Sequence, residues 1–161
     1  MKALVADSVE RMRALGAALG RSAEAGDVLL LRGALGSGKT ELVRGLAGGL
    51  GCEARIRSPT FNLIHRLEGG RLLLHHLDLY RIRDARELEQ LGLDEAMGEE
   101  GVAAVEWSER LREFEPTEAL CCDLSFAGDA VREIAFAPRG LRGAEWARQA
   151  FGEEADVGTR G

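Results

Sequence analysis

Apolar positions along the chain follow two rhythms. Val9, Met12, Leu15 and Leu19 recur at helical spacing behind Asp7-Ser8-Val9-Glu10, where Asp7 is placed to cap and Glu10 to reach back. That helix ends at Gly20 or before Gly26-Asp27. Val28-Leu29-Leu30-Leu31 is apolar without alternation, as in a strand covered on both faces. A second helical stretch, Glu41-Leu42-Val43-Arg44-Gly45-Leu46-Ala47, runs to about Leu50, where Gly48, Gly49 and Gly51 supply a stop. Val102-Ala103-Ala104-Val105 is another strand of the buried type.

Two hairpins are written between these runs. Segments 62–67 and 71–77 flank Glu68-Gly69-Gly70, and segments 120–126 and 131–137 flank Gly128-Asp129. Residues 52–56 read as a short strand, and Pro59 keeps Ser58 extended. Asp84 caps a helix to about residue 91, Gly92 interrupts it, and 93–97 form a further turn. Helices are also expected over 108–114 and 140–151. Strands alternating with helices predict an α/β fold of three layers, with antiparallel hairpins added to a central mixed sheet whose core is parallel. One domain spans 1–151, and 152–161 read as a frayed tail. The chain carries no internal repeat or low-complexity tract.

Composition narrows the function classes. With 161 residues, 45% of them hydrophobic and 30% charged, the chain is of the soluble globular type. Its net charge of −6 argues against a domain that grips nucleic acid unaided, because such domains carry a basic face. No apolar stretch approaches the length of a bilayer span and no secretory pattern is present, so a cytoplasmic protein is expected. Cys52, Cys121 and Cys122 have neither the spacing of a zinc site nor that of a disulfide framework. They read as small apolar residues, with Cys121 and Cys122 on opposite faces of a strand.

The chemistry centres on Gly33-Ala34-Leu35-Gly36-Ser37-Gly38-Lys39-Thr40, set between a strand and a helix. G-x-x-x-x-G-K-[ST] in that context is the phosphate-binding loop of nucleotide hydrolases and kinases, and the fold expected is theirs. Gly33, Gly36 and Gly38 let successive backbone N–H groups face one anion, and the helix beginning near Lys39 adds its positive dipole end. Lys39 can set a point charge on the β- and γ-phosphates, and the Thr40 hydroxyl can ligate Mg²⁺.

Such a loop needs a further metal anchor and a group to place the attacking oxygen. Asp78 and Glu106 each stand where an apolar strand ends, and either can hold Mg²⁺ directly or through water. Ser58 and Thr60 offer hydroxyls on a loop that reads either as a simple turn or as a nucleotide-sensing switch. His75 and His76 alternate across a strand, so at most one faces the site, and each reads as satisfied or exposed. Trp107 is core or a brace for the loop. Arg81, Arg83 and Arg86 form either a solvated helix start or a partner surface.

The phosphate loop, Ser58-Pro59-Thr60-Phe61, His76-Leu77-Asp78-Leu79-Tyr80-Arg81, Glu87-Leu88-Glu89 with Gly92, and Val105-Glu106-Trp107 follow one another in an order that resembles the TsaE (YjeE) family. The likeness is strong over residues 27 to 110. The family is the ATPase component of bacterial tRNA threonylcarbamoyladenosine modification. The resemblance implies a Mg²⁺-dependent, slow ATPase that works with the transferase subunits TsaD and TsaB on the adenosine beside the anticodon of ANN-decoding tRNAs. It further implies that Lys39 contacts phosphate, that Thr40 and Glu106 ligate Mg²⁺, that Asp78 acts in hydrolysis, and that Thr60 belongs to a switch-like loop. Gly33, Gly36, Ser37, Gly38 and the Glu41 backbone N–H would complete the ATP contacts, and tRNA would be reached through the partners. Two positions depart from the family pattern: Glu41 replaces a second Thr, and Ser108 replaces a proline that would loosen the turn by its absence. The adenine pocket is placed only by position, near Ser8 and the hairpin around Arg132. Rival readings are a small-molecule kinase, for which the arginines at 81 to 86 would form a lid, and a nucleotide-switched binding module without useful turnover.

Overall fold

The computed structural model describes residues 3–52 and 63–152. The expected strand at 52–56 (Cys52 apart), the loop carrying Ser58 and Thr60, and the tail from residue 153 lie outside them. The described strands are β1 (Leu4–Ala6), β2 (Val28–Gly33), β3 (Ile64–Leu67), β4 (Leu74–Asp78), β5 (Val102–Glu106), β6 (Ala119–Phe126) and β7 (Arg132–Arg139). They form one sheet in the order β1-β7-β6-β2-β5-β4-β3. β6, β2, β5 and β4 run parallel, while β3, β7 and β1 add on antiparallel at the two sides. This is the mixed α/β sheet with a parallel core that the sequence predicts. β1 is the strand the hydrophobic pattern does not announce, because three residues are too short to show alternation.

The helices are α1 (Val9–Ser22), α2 (Lys39–Leu50), α3 (Ala85–Glu89), α4 (Leu93–Ala96) and α5 (Gly140–Phe151), with a 3₁₀ helix over Ser108–Phe114. Leu29, Leu31, Ala104 and Cys122 point toward α1, α2 and α5. Val28, Leu30, Val105 and Cys121 point the other way, toward α3, α4 and the 3₁₀ helix. The two sheet faces and their covers make three layers. The apolar runs lack alternation because both faces are buried.

Two local readings are corrected. Ser8, rather than Asp7, caps α1, its Oγ accepting the Arg11 N–H at 3.1 Å. Val9 is exposed, and the buried face is Met12, Leu15, Gly16, Leu19 and Gly20. The glycines on that face allow α1 and α2 to pack backbone against backbone. A β-carbon on Gly16 would stand 2.1 Å from the Leu42 carbonyl oxygen, and one on Gly45 would stand 2.1 Å from that of Arg13. The segment after Glu106 is a 3₁₀ helix with a break at Arg112, whose φ of 51° and ψ of −118° interrupt it. Among the described residues, no helix is long and apolar enough to cross a membrane.

Candidate functional site

β2 lies at the middle of the sheet and delivers the glycine-rich loop at its carboxyl end, where open α/β sheets bind ligands. Gly38 precedes α2 with φ of +104°, a left-handed conformation that a side chain resists, and a β-carbon there would also meet Met12 Cε at 2.9 Å. Inside the loop the Ser37 N–H donates to the Ala34 carbonyl at 3.1 Å. The Ser37 side chain is fully buried, and its Oγ has no hydrogen-bond partner among the described residues. Lys39 Nζ donates to the carbonyls of Gly33 at 2.6 Å and Ala34 at 3.0 Å. It also lies 4.3 Å from the centre of the Trp107 ring, a cation–π contact. Burial pushes the Lys39 ammonium below its ordinary value, and the carboxylates of Glu106, Glu109 and Asp78 pull it back up.

The two acids are brought together by strand register. Asp78 on β4 stands opposite Glu106 on β5, and Leu31 of β2 stands opposite Glu106 on its other side. Side chains at matched positions of parallel strands leave the same face, here the face covered by α2. The Thr40 hydroxyl accordingly donates to the Glu106 carboxylate, 3.0 Å from Oε1 and 3.2 Å from Oε2. His76, two residues before Asp78 and therefore on the same face, places Nε2 2.5 Å from Glu106 Oε2. Glu106 is only 3% exposed and His76 not at all, so this pair is shielded from water, while Thr40 is half-buried at the cleft. Asp78 is 9% exposed and accepts the Tyr80 N–H at 3.0 Å.

Immediately after Glu106, Trp107 takes φ of 57° and ψ of 43°, left-handed values that are costly for a large side chain. That turn lays the indole beside Lys39 and against Tyr80, whose ring centre is 5.0 Å away. Trp107 is thus a wall of the site. A cleft of about 410 Å³ opens above these groups, bordered by Gly36, Lys39, Thr40, Asp78, Tyr80 and Glu106. Glu41 borders it as well, with its carboxylate held by Arg13 at 2.7 Å and by Arg44.

The arrangement fits a nucleoside triphosphate with magnesium. The donor set is hard oxygen, a hydroxyl and a carboxylate, at the foot of a loop whose backbone turns inward. Among the described residues no three His, Cys, Asp or Glu side chains form a cation cage. A magnesium ion held largely by substrate phosphates and water needs none.

Gly36, Gly38, Lys39, Thr40, Glu41, Asp78 and Glu106 line this cleft, Gly33 and the buried Ser37 belong to the loop but not to its lining, and Thr60 falls outside the described residues. Tyr80 and Arg81 reach the rim, Arg83 borders a separate groove with Arg110, and Arg86 is exposed. Of the two positions named for adenine, Ser8 spends its side chain on the α1 cap. Arg132 reaches the loop, 3.5 Å from the Gly36 carbonyl, and stacks over Phe126 at 4.3 Å. His76 and Arg13 are the side chains that the sequence reading undervalues. The spacing of His76 from Asp78 on one strand was the available signal. Arg13 had none, because its partner lies on another helix.

A family model described as threonylcarbamoyl adenosine biosynthesis protein TsaE matches residues 6–134. The tRNA threonylcarbamoyladenosine biosynthesis protein TsaE of Bacillus subtilis is 43% identical over 133 residues, which are 83% of this chain and 83% of the relative. Its counterpart in Treponema pallidum is 40% identical over 122 residues, covering 76% of this chain and 90% of the relative. The crystal structure of Bacillus subtilis YdiB superposes with a TM-score of 0.81 at 34% identity, covering 92% of this chain and 93% of that one. The matched span runs from the end of β1 into β7 and so takes in the phosphate loop, both acids and His76: the chain belongs to the TsaE family.

Proposed function

We propose that this chain is a Mg²⁺-dependent ATP-binding protein and slow ATPase that serves threonylcarbamoyl modification of the adenosine next to the anticodon in ANN-decoding tRNAs. In this reading residues 1–151 act as one domain in the cytoplasm, with the TsaD and TsaB subunits as partners and tRNA reached through them. The observation that supports it best is the Thr40 hydroxyl 3.0 Å from the buried Glu106 carboxylate, directly under the phosphate loop. Family membership supports the pathway.

The backbone N–H groups of Gly36 and of Gly38 to Glu41, with the amino end of α2, bind the phosphates. Lys39 turns from the carbonyls of Gly33 and Ala34 toward the β- and γ-oxygens, a short movement because its ammonium already lies inside the loop. Thr40 and Glu106 would hold the magnesium, which would supply positive charge to offset that of the phosphates. Asp78 orients the attacking water, and Thr60 serves a loop that senses the γ-phosphate. Trp107 and Tyr80 wall the site and restrict water beside Lys39. Little covalent chemistry is left to the protein, and rate comes from positioning and charge.

Phosphate release from Mg-ATP tests this, first with the chain alone and then with TsaD, TsaB and tRNA. Slow release that the partners stimulate is the expected result. Normal ATP binding with no stimulation would remove the partner-coupled reading.

A further inference from the structure

Glu41 occupies a position where an acid is costly to nucleotide binding. It lies in the first turn of α2, one residue beyond Thr40, and borders the cleft. A carboxylate at a helix amino end competes for the same dipole and N–H groups that draw a phosphate. Both of its oxygens are nevertheless occupied elsewhere. Arg13 Nε of α1 donates to Oε2 at 2.7 Å, and Arg44, one turn along α2, donates to Oε1. Arg13 can reach because the glycines between α1 and α2 bring the helices close, and its own carbonyl is the atom against which Gly45 packs.

We infer that Arg13 is a positioning residue for nucleotide binding: it draws the Glu41 carboxylate onto the flank of α2 and cancels its charge, so that the phosphates meet the Glu41 backbone rather than its side chain. The inference rests on the nucleotide-binding reading above. Arg44 assists from the same helix, but Arg13 supplies the pull from outside it. The glutamate is tolerated at the loop because α1 carries its counter-charge.

Calorimetry with Mg-ATP on four proteins tests this: wild type, Arg13→Ala, Glu41→Gln and the double variant, each with its melting temperature recorded. Arg13→Ala should weaken binding by about three- to fivefold at low salt, the upper part of the range of a partly exposed charge pair. The loss should shrink as salt rises. Glu41→Gln should bind at least as tightly as wild type. The double variant should match Glu41→Gln within about twofold, since Arg13 then has no carboxylate to restrain. Unchanged affinity in Arg13→Ala overturns the inference. So does a deficit that persists in the double variant, because Arg13 would then act on the nucleotide itself or on α1. Wild-type protein that fails to bind Mg-ATP would instead refute the nucleotide reading, a result the other three proteins cannot mimic.

Discussion

Replacing Gly45 and Gly48 with alanine, one at a time, should move stability in opposite directions although both lie in α2. Glycine inside a helix costs about 0.5–1 kcal/mol relative to alanine, so an alanine with room to stand is a gain. Gly48 has that room, with no heavy atom within 4 Å of the position its β-carbon would take. Gly45 does not. Its β-carbon would lie 2.1 Å from the Arg13 carbonyl oxygen and 2.8 Å from the Arg13 Cα, both backbone atoms of α1. No rotamer relieves that overlap, and α1 must withdraw by about an ångström along a seam where Gly16 and Gly49 are equally tight. Overpacking of this kind costs about 1–3 kcal/mol, which exceeds the propensity gain. In thermal denaturation followed by circular dichroism, Gly48→Ala should therefore melt about 1–4 °C above wild type. Gly45→Ala should melt several degrees below it. Two shifts of the same sign would refute the argument that close approach of the backbones, rather than helix propensity, sets the glycines of α2.

Two further perturbations address the site and a third addresses stability. Lys39→Ala removes the one ammonium inside the loop and should weaken Mg-ATP binding by about ten- to a hundredfold in calorimetry; unchanged affinity would sink the assignment of the loop to phosphate. Glu106→Ala should raise the Mg²⁺ concentration needed for hydrolysis more than it weakens nucleotide binding, and activity should recover with added Mg²⁺ further than in Asp78→Ala. Equal recovery would undo the division of roles between the two acids. His75 is buried on the face of β4 away from the site, with Nε2 lacking a partner among the described residues, and burial lowers its pKa below the usual 6.5. Arg66 adds to that shift, while the Glu100 backbone and the Glu95 and Glu100 carboxylates oppose it. The unfolded chain therefore binds the proton first as pH falls through about 6.5, and stability should drop from there toward the lower folded value. Urea midpoints of His75→Gln should lose that part of the decline.

The sheet was legible because its central strands announce themselves. Val28 to Leu31 and Val102 to Val105 are apolar at every position, and such runs belong to strands covered on both faces. The glycine-rich turn between β2 and α2 was legible for a related reason, since backbone that must face an anion tolerates few residue types. Other features depend on contacts made only after folding. β1 is a strand because it can pair with β7, more than a hundred residues later, and its own three residues hold no period. Ser8 outcompetes Asp7 as a cap through a backbone geometry that sequence leaves open, as both are good capping residues. The left-handed turn at Trp107 goes against the local preference of the residue, and local conflicts of that kind gather at sites where the surroundings dictate the backbone.

The same logic explains why the acids could be nominated from sequence but not ranked. Each ends an apolar strand, and strand ends alone treat them alike. Register separates them. Glu106 lies on β5, next to β2, so its carboxylate falls directly beneath Thr40 at the start of α2. Asp78 lies one strand farther out, on β4, and meets the Tyr80 backbone instead. A difference of one strand, about 4.8 Å, puts Glu106 under the Thr40 hydroxyl and leaves Asp78 beside it, one strand farther from β2. His76 then has a reason to be buried. With Thr40 on one side of Glu106 and His76 on the other, the carboxylate is held by two elements that cannot move independently of the sheet and of α2. On the function proposed above, a carboxylate fixed in that way would need little reorganisation to meet a cation, so its contribution would go to orienting phosphate oxygens rather than to ordering its own side chain.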